Sequence, residues 1–241
     1  MENRVAICIP TYNEKENIIK IIEAVHAELA TADVFIVDDN SPDKTAEIVA
    51  DYAKEHPFVS VKVRPAKEGL GAAYIDGFRT LIERGYDFII QMDADFSHQP
   101  KYLPKMLQKA KEGFDVVLGS RYVKGGGTRN WPLLRRVISR GGSFYASTVL
   151  GTGTKDVTCG YKCWRAGFLK RVITVPIVFV GFGFQIEMSY RTKLCGGKVF
   201  EVPIIFPDRE DGVSKMSGKI FKEALFGVWK LKGLGKKLIE G

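Results

Sequence analysis

Several familiar chemistries lack their residues in this 241-residue sequence. Histidine occurs only three times, at His26, His56 and His98, and no recognisable Ser-His or Cys-His pair is present. Covalent catalysis by an activated nucleophile therefore has no candidate. Four cysteines occur, Cys8, Cys159, Cys163 and Cys195; with no second pair and no nearby histidine, zinc-ligand spacing is absent and reduced thiols are expected. The first strand-like run is not followed by a Gly-x-Gly-x-x-Gly turn, and there is no Gly-Lys-Ser/Thr phosphate loop, which disfavours dinucleotide-binding and P-loop folds. No apolar run reaches the ~18–20 residues that span a bilayer. The N-terminus enters a strand-like run at Val5 without a signal-peptide pattern, so a cytosolic chain is expected.

Acid is also scarce in places. The formal charge is +8, and Arg121–Lys155 holds seven basic residues and no acidic one. Lys215–Lys237 holds seven lysines against Glu223 alone. Such stretches attract phosphates, whether of nucleic acid, anionic lipid or a small substrate, or else form a solvated surface.

What is present alternates. Val5–Ile9, Val34–Val37, Val59–Val63, Phe88–Met92 and Val116–Leu118 read as strands. Between them lie Ile18, Ile22, Val25 and Leu29 at helical spacing, a helix opened by Ser41-Pro42, and helices over Ala72–Arg84 and Leu103–Lys111. This pattern predicts an α/β fold with a mostly parallel central sheet and helices on both faces. Later, Asp156–Trp164 reads as an edge-type strand, Val199–Ile205 as a strand, and Gly218–Leu238 as a basic amphipathic helix. Leu133–Leu150 mixes apolar and basic residues, and the acid-free region Arg121–Lys155 that contains it fits either a membrane-interface segment or a core helix with a basic outer face.

Ligands of such sheets bind beyond the carboxyl ends of the strands. Those ends read Pro10-Thr11-Tyr12-Asn13-Glu14, Val37-Asp38-Asp39-Asn40 and Asp93-Ala94-Asp95. Alone, each could be a turn or a solvated loop. Together they place three acidic clusters on one crevice, where they would repel unless a cation or hydrogen-bond donors intervened. Oxygen ligands suit Mg²⁺ or Mn²⁺ bridging one or two carboxylates and a diphosphate. A nucleic-acid-binding protein would not need these clusters, so nucleic acid is not an expected partner. His98, beside the third cluster, is expected on the surface at a helix start.

These strand ends, in order with Gly69-Leu70-Gly71-Ala72-Ala73-Tyr74, Met92–Pro100, Gly119-Ser120-Arg121-Tyr122, Ile138-Ser139-Arg140-Gly141, Val202-Pro203-Ile204, Arg209 and Gly212-Val213-Ser214-Lys215, resemble the dolichol-phosphate (polyprenol-phosphate) mannose synthases of glycosyltransferase family 2. The resemblance spans about Val5–Lys215 and is to the short members that lack C-terminal transmembrane helices. It implies a GT-A type fold over residues 1–215, with an acceptor or interface segment near 121–155, and a basic helix over 216–241. It implies GDP-mannose as donor, a polyprenyl or dolichyl phosphate as acceptor, and inversion at the sugar. Pro10, Tyr12, Glu14, Val37 and Asp39 would line the base and ribose pocket, with Asp93 and Ala94 on the nucleotide. Asp95 would hold the metal. Some relatives carry a glutamine ligand two residues on; here Ser97 stands there, a departure that weakens the second ligand. Arg121, Arg209 and Lys215 would hold phosphate oxygens, and Asp95 and Arg121 would carry the chemistry. The resemblance also implies attachment to the cytosolic face of a membrane, directly or through a membrane-anchoring subunit. The motifs leave UDP-glucose open as an alternative donor, and intact Asp93, Asp95 and Arg121 argue against an inactive regulatory subunit.

Overall fold

A computed structural model describes residues 3–181, 183–208 and 218–240, with side chains of the last helix from Phe226 onward. The strands are β1 Val5–Thr11, β2 Ala32–Asp38, β3 Val59–Val63, β4 Phe88–Gln91, β5 Val116–Ser120, β6 Gly127–Arg129, β7 Lys162–Arg165, β8 Val199–Pro203 and β9 Ile205–Pro207. The helices are α1 Ile18–Glu28, α2 Thr45–Ala53, α3 Leu70–Glu83, α4 Leu103–Lys111, α5 Leu133–Leu150, α6 Ala166–Val172, α7 Gly183–Leu194 and α8 Gly218–Leu234.

Seven strands form one sheet in the order β3-β2-β1-β4-β7-β5-β8. β1 is buried at every position, as a strand covered on both faces must be. On one face Ile7, Ile9, Val34 and Ile90 pack with Ile18, Ile21, Ile22 and Val25 of α1, Val49 of α2 and Met106 of α4. On the other, Ala6, Cys8, Phe35, Val37 and Trp164 pack with Tyr74 and Phe78 of α3, Leu169 of α6 and Met188 of α7. Gly77 lets α3 approach the sheet, because a Cβ there would fall 2.5 Å from Cys8 Sγ and 2.9 Å from Val37 Cγ2. The four cysteines are free thiols, and burial pushes Cys159 up to about 12.

Three sequence expectations are corrected. The Asp156–Trp164 run is no edge strand: only its end lies in β7, at the sheet centre, antiparallel to β4 and β5. Its alternating apolar residues Val157, Cys159 and Tyr161 lie in irregular chain and are buried in two core clusters rather than on a pleat. The Val199–Ile205 strand is two. β8 pairs with β5 up to Pro203, then the Ile204 amide bonds the Ser120 carbonyl and β9 turns to pair with β6. Ser41-Pro42 does not open α2, which starts at Thr45, because Ser41 Oγ is engaged at Asp38 and Asn13. Asp43 Oδ1 instead accepts from the Thr45 amide at 3.0 Å.

The C-terminal helix docks on the main body. Val228, Leu231 and Leu238 share a buried cluster with Ala146 and Leu150 of α5 and Ile186 and Tyr190 of α7.

Candidate active site

β1, β2 and β4 run parallel, so the carboxyl ends that carry the three acidic clusters meet on one edge of the sheet. The expected repulsion is relieved largely by donors. Asp38 is fully buried and accepts from Thr11 Oγ1 at 2.7 Å, the Ser41 amide at 2.8 Å and Ser41 Oγ at 2.7 Å. It is a structural anchor between β1 and β2. Asp39 accepts from Arg64 Nη1, and Arg64 Nη2 reaches Glu68. Burial raises the Asp39 pKa, with the Arg64 charge opposing.

The β1 end is tied to the same edge through side chains. Ser41 Oγ accepts from the Asn13 amide and Thr45 Oγ1 from the Glu14 amide, each at 3.0 Å. Asn13 takes φ 61° there, a left-handed turn that asparagine tolerates. Tyr12 is exposed beneath Lys67, whose Nζ lies 3.5 Å from the ring centre. Pro10 pairs with Val37 across the two strands. The Val37 side chain is in the core under α3.

The Asp93-Ala94-Asp95 turn is held from both sides of the sheet. From α3, Tyr74 Oη donates to Asp93 Oδ1 at 2.6 Å. Burial, then the Asp93 charge, raise the Tyr74 pKa well above its ordinary value, so the phenol stays a donor. From the opposite face, the Asp93 amide donates to His98 Nδ1 at 2.9 Å. The surface position expected for His98 is therefore wrong: its ring is buried, stacked on Tyr161 with centroids 4.9 Å apart and edge-on to Phe206 at 5.6 Å. An amide can only donate, so the imidazole proton resides on Nε2. Burial lowers the His98 pKa despite Asp93 and Asp95, which keeps the ring neutral at pH 7. Ala94 is buried, and Phe96 takes φ 58°, a strained conformation for a bulky residue that the surrounding contacts must hold.

Asp95 Oδ1 accepts from the Ser97 amide at 3.1 Å. Ser97 Oγ is buried and has no partner among the described residues. An orphaned hydroxyl two residues from a carboxylate fits a hard cation, which takes oxygen ligands. Among the described residues no group of three His, Cys, Asp or Glu side chains could cage a metal.

Arg121, at the end of β5, is clamped by Asp156. Nε donates to Oδ2 and Nη2 to Oδ1, each at 2.7 Å, and Nη2 also reaches Thr158 Oγ1 at 2.8 Å. Its carbon lies 5.0, 5.5 and 5.3 Å from the ring centres of Tyr122, Trp131 and Phe206. Burial works against the charge, but Asp156 more than offsets it and the pKa stands above the ordinary arginine value. Phosphate contact would fall to Nη1, which no described residue takes. Arg209 and Lys215 lie outside the described residues.

Arg64, Tyr74 and Asp156 escaped the sequence reading. Arg64 and Tyr74 carried a usable signal: one follows β3 at its carboxyl end, and the other ends the Gly69–Tyr74 motif.

The fold and this acid-lined edge define a GT-A type glycosyltransferase. The profile described as Glycosyl transferase family 2 matches residues 6–173. The chain is 45% identical to an undecaprenyl-phosphate mannosyltransferase of Micrococcus luteus, over 93% of this chain and 92% of the relative. It is 42% identical to a polyprenol monophosphomannose synthase of Mycolicibacterium smegmatis, over 95% and 88%. Among solved structures, glucosyl-3-phosphoglycerate synthase of Mycobacterium tuberculosis in complex with phosphoglyceric acid superposes with TM-score 0.70 at 17% identity, covering 96% of this chain and 80% of that one. A mannosyltransferase of Pyrobaculum calidifontis in complex with GDP-Man and Mn²⁺ gives 0.64 at 15%, covering 100% and 66%. The chain belongs to glycosyltransferase family 2 and, with its two curated relatives, is a mannosyltransferase.

Proposed function

We propose that the protein transfers mannose from GDP-mannose to a polyprenyl monophosphate with inversion, at the cytosolic face of a membrane. The observation that carries this reading is the Asp93–Asp95 turn, fixed by Tyr74 and His98, on the same sheet edge as Arg121. A lipid monophosphate is already an anionic oxygen nucleophile near pH 7 and needs positioning more than deprotonation. The neutral, buried His98 serves the turn's backbone, consistent with chemistry that needs no general base. Asp95 and Ser97 would hold a divalent cation, which when bound neutralises charge developing on the leaving diphosphate. Tyr12, Glu14 and Asp39 would receive the base and ribose, with Pro10 and Val37 behind them. Arg121, with Arg209 and Lys215, would receive phosphate oxygens, a role that suits guanidinium forks. The two curated relatives' names, undecaprenyl-phosphate and polyprenol, support the acceptor. The Mn²⁺ and GDP-Man in the Pyrobaculum structure's description support cation and donor.

The test offers the protein, with Mg²⁺, GDP-mannose or UDP-glucose and a polyprenyl phosphate. Mannose transfer at least about tenfold faster than glucose transfer is expected, and proton NMR should show a β-linked mannosyl phosphate. Preferred glucose transfer, or an α-linked product, would overturn donor or stereochemistry respectively.

Among the described residues no helix is long and apolar enough to cross a membrane. Attachment would fall to α5 and α8. Leu133 (74% exposed), Leu134, Val137 and Phe144 project from α5 beside Arg136 and Arg140, and Phe226 and Trp229 project from α8 beside Lys230 and Lys232. Apolar groups flanked by basic ones suit an anionic leaflet, at roughly 1 kcal/mol per cation. Co-sedimentation should show binding to anionic vesicles at low salt and little to neutral ones. Replacing Lys230, Lys232, Lys236 and Lys237 by Glu should weaken it at least about tenfold. No binding to any vesicle would point to a membrane-anchoring subunit.

A further inference from the structure

Lys162 and Gln185 have no place in the machinery described so far, yet both are buried polar residues bonded to each other. Lys162 sits on β7, beside Gln91 of β4 and Leu118 of β5, and is 1% exposed. Its Nζ donates to the Cys159 carbonyl at 2.7 Å and to Gln185 Oε1 at 2.6 Å. Both partners are neutral. Burial lowers its pKa to about 8, with Asp156 and Asp93 among the charges opposing that shift, so it is mostly protonated at pH 7.

Gln185 lies in the first turn of α7. An ammonium can only donate, so the amide atom that faces Lys162 is the oxygen. The NH2 must then point away from Lys162, and no described residue accepts from it. Its direction can be read from Gly160. A Cβ on Gly160 would lie 3.1 Å from Gln185 Nε2 and 3.2 Å from His98 Cε1. The amide nitrogen and the ring that holds the Asp93 backbone therefore both face Gly160 on the side a Cβ would occupy. A side chain on Gly160 would crowd both groups, so glycine there lets Gln185 approach the ring that holds the Asp93 turn.

We propose that Gln185 contacts substrate, donating a hydrogen bond from its amide NH2 to a hydroxyl of the transferred sugar, and that Lys162 is the positioning residue that fixes the amide's orientation. The inference rests on the reading of this edge as a sugar-nucleotide pocket. A neutral amide suits this role, since it donates to a hydroxyl without adding a charge beside Asp93 and Asp95. A site that hydrogen-bonds a hydroxyl discriminates against ligands lacking it, because its own polar group is then left unpaired.

Isothermal titration with GDP and with GDP-mannose, in Mg²⁺, separates the sugar from the nucleotide. Gln185→Leu should weaken GDP-mannose binding about three- to tenfold, the worth of one hydrogen bond, and leave GDP within about twofold. Lys162→Met should give the same selective loss, with no further loss in the double variant, and Lys162→Arg should restore most of it. Unchanged GDP-mannose affinity in Gln185→Leu would overturn the proposal. So would equal weakening of both ligands, which marks a merely structural role. If the native protein binds neither ligand, the sugar-nucleotide reading itself falls and this proposal falls with it. Should Lys162→Met fail to fold, as its circular dichroism would reveal, Gln185→Leu still decides the outcome.

Discussion

Asp95→Ala is expected to lower mannosyl transfer about a thousandfold while the protein stays folded. A cation held against a diphosphate contributes several kcal/mol of charge stabilisation, and each ~1.4 kcal/mol is tenfold in rate. About 4 kcal/mol is therefore at stake in the transition state. The Ser97 amide donates to Asp95 at 3.1 Å, and one such bond is worth about 1 kcal/mol. Removing the cation with EDTA should reproduce the loss in the native protein, and adding Mg²⁺ or Mn²⁺ should reverse it. Ser97→Ala should cost less, about tenfold, because a neutral hydroxyl would be the weaker ligand of the two. Initial rates with a labelled donor, beside thermal melting by circular dichroism, measure both sides. Full activity of metal-free protein would overturn the assignment of Asp95 as a metal ligand.

Asp156→Ala is expected to be among the most damaging single changes for stability, at about 3–5 kcal/mol. Asp156 is fully buried and accepts three bonds from Arg121, from the backbone amide at 3.0 Å and from Nε and Nη2 at 2.7 Å. Truncating it leaves a guanidinium buried among Tyr122, Trp131 and Phe206 without a counter-charge. Against a typical total of about 5–15 kcal/mol, that is a large share. The paired change Arg121→Leu with Asp156→Leu should recover much of the stability, because an apolar pair avoids desolvating two charges. It should not recover transfer if Arg121 also receives a phosphate oxygen. Urea unfolding of the three proteins, with rates measured beside it, separates holding the loop from holding the substrate. A loss below about 1 kcal/mol in Asp156→Ala would show that the pair does not hold this region.

The difference between these two residues explains how much of the site was legible. Asp95 could be located from the chain alone because its neighbours make the signal: an acidic turn directly after an apolar strand. Asp156 could not. It lies 35 residues from its partner, in a run whose alternation imitates an edge strand. His98 misled for a related reason. A histidine two residues ahead of the proline that starts a helix reads locally as surface, and only the arrival of Tyr161 and Phe206 from distant segments makes a buried slot for it. Lys162 is the strongest case. Local pattern treats a lysine as a sign of exposure, whereas a strand inserted antiparallel at the centre of the sheet buries it entirely.

The sequence by itself determined the class of fold and the edge on which to look. Alternating apolar runs and amphipathic spacings dictate a mostly parallel sheet covered on both faces, and parallel strands must place their carboxyl ends together. It also determined which residue types stand there, since Asp39, Asp93 and Asp95 directly follow strands. Tertiary structure alone decided what each acid does. Asp38 is spent on hydroxyls and an amide, Asp39 meets Arg64, Asp93 meets Tyr74, and Ser97 keeps an orphaned hydroxyl beside Asp95. The physical reason is range. Periodicity and turn chemistry are local, whereas the hydrogen bonds that neutralise a buried carboxylate come from whichever distant segment the packed core brings within 3 Å.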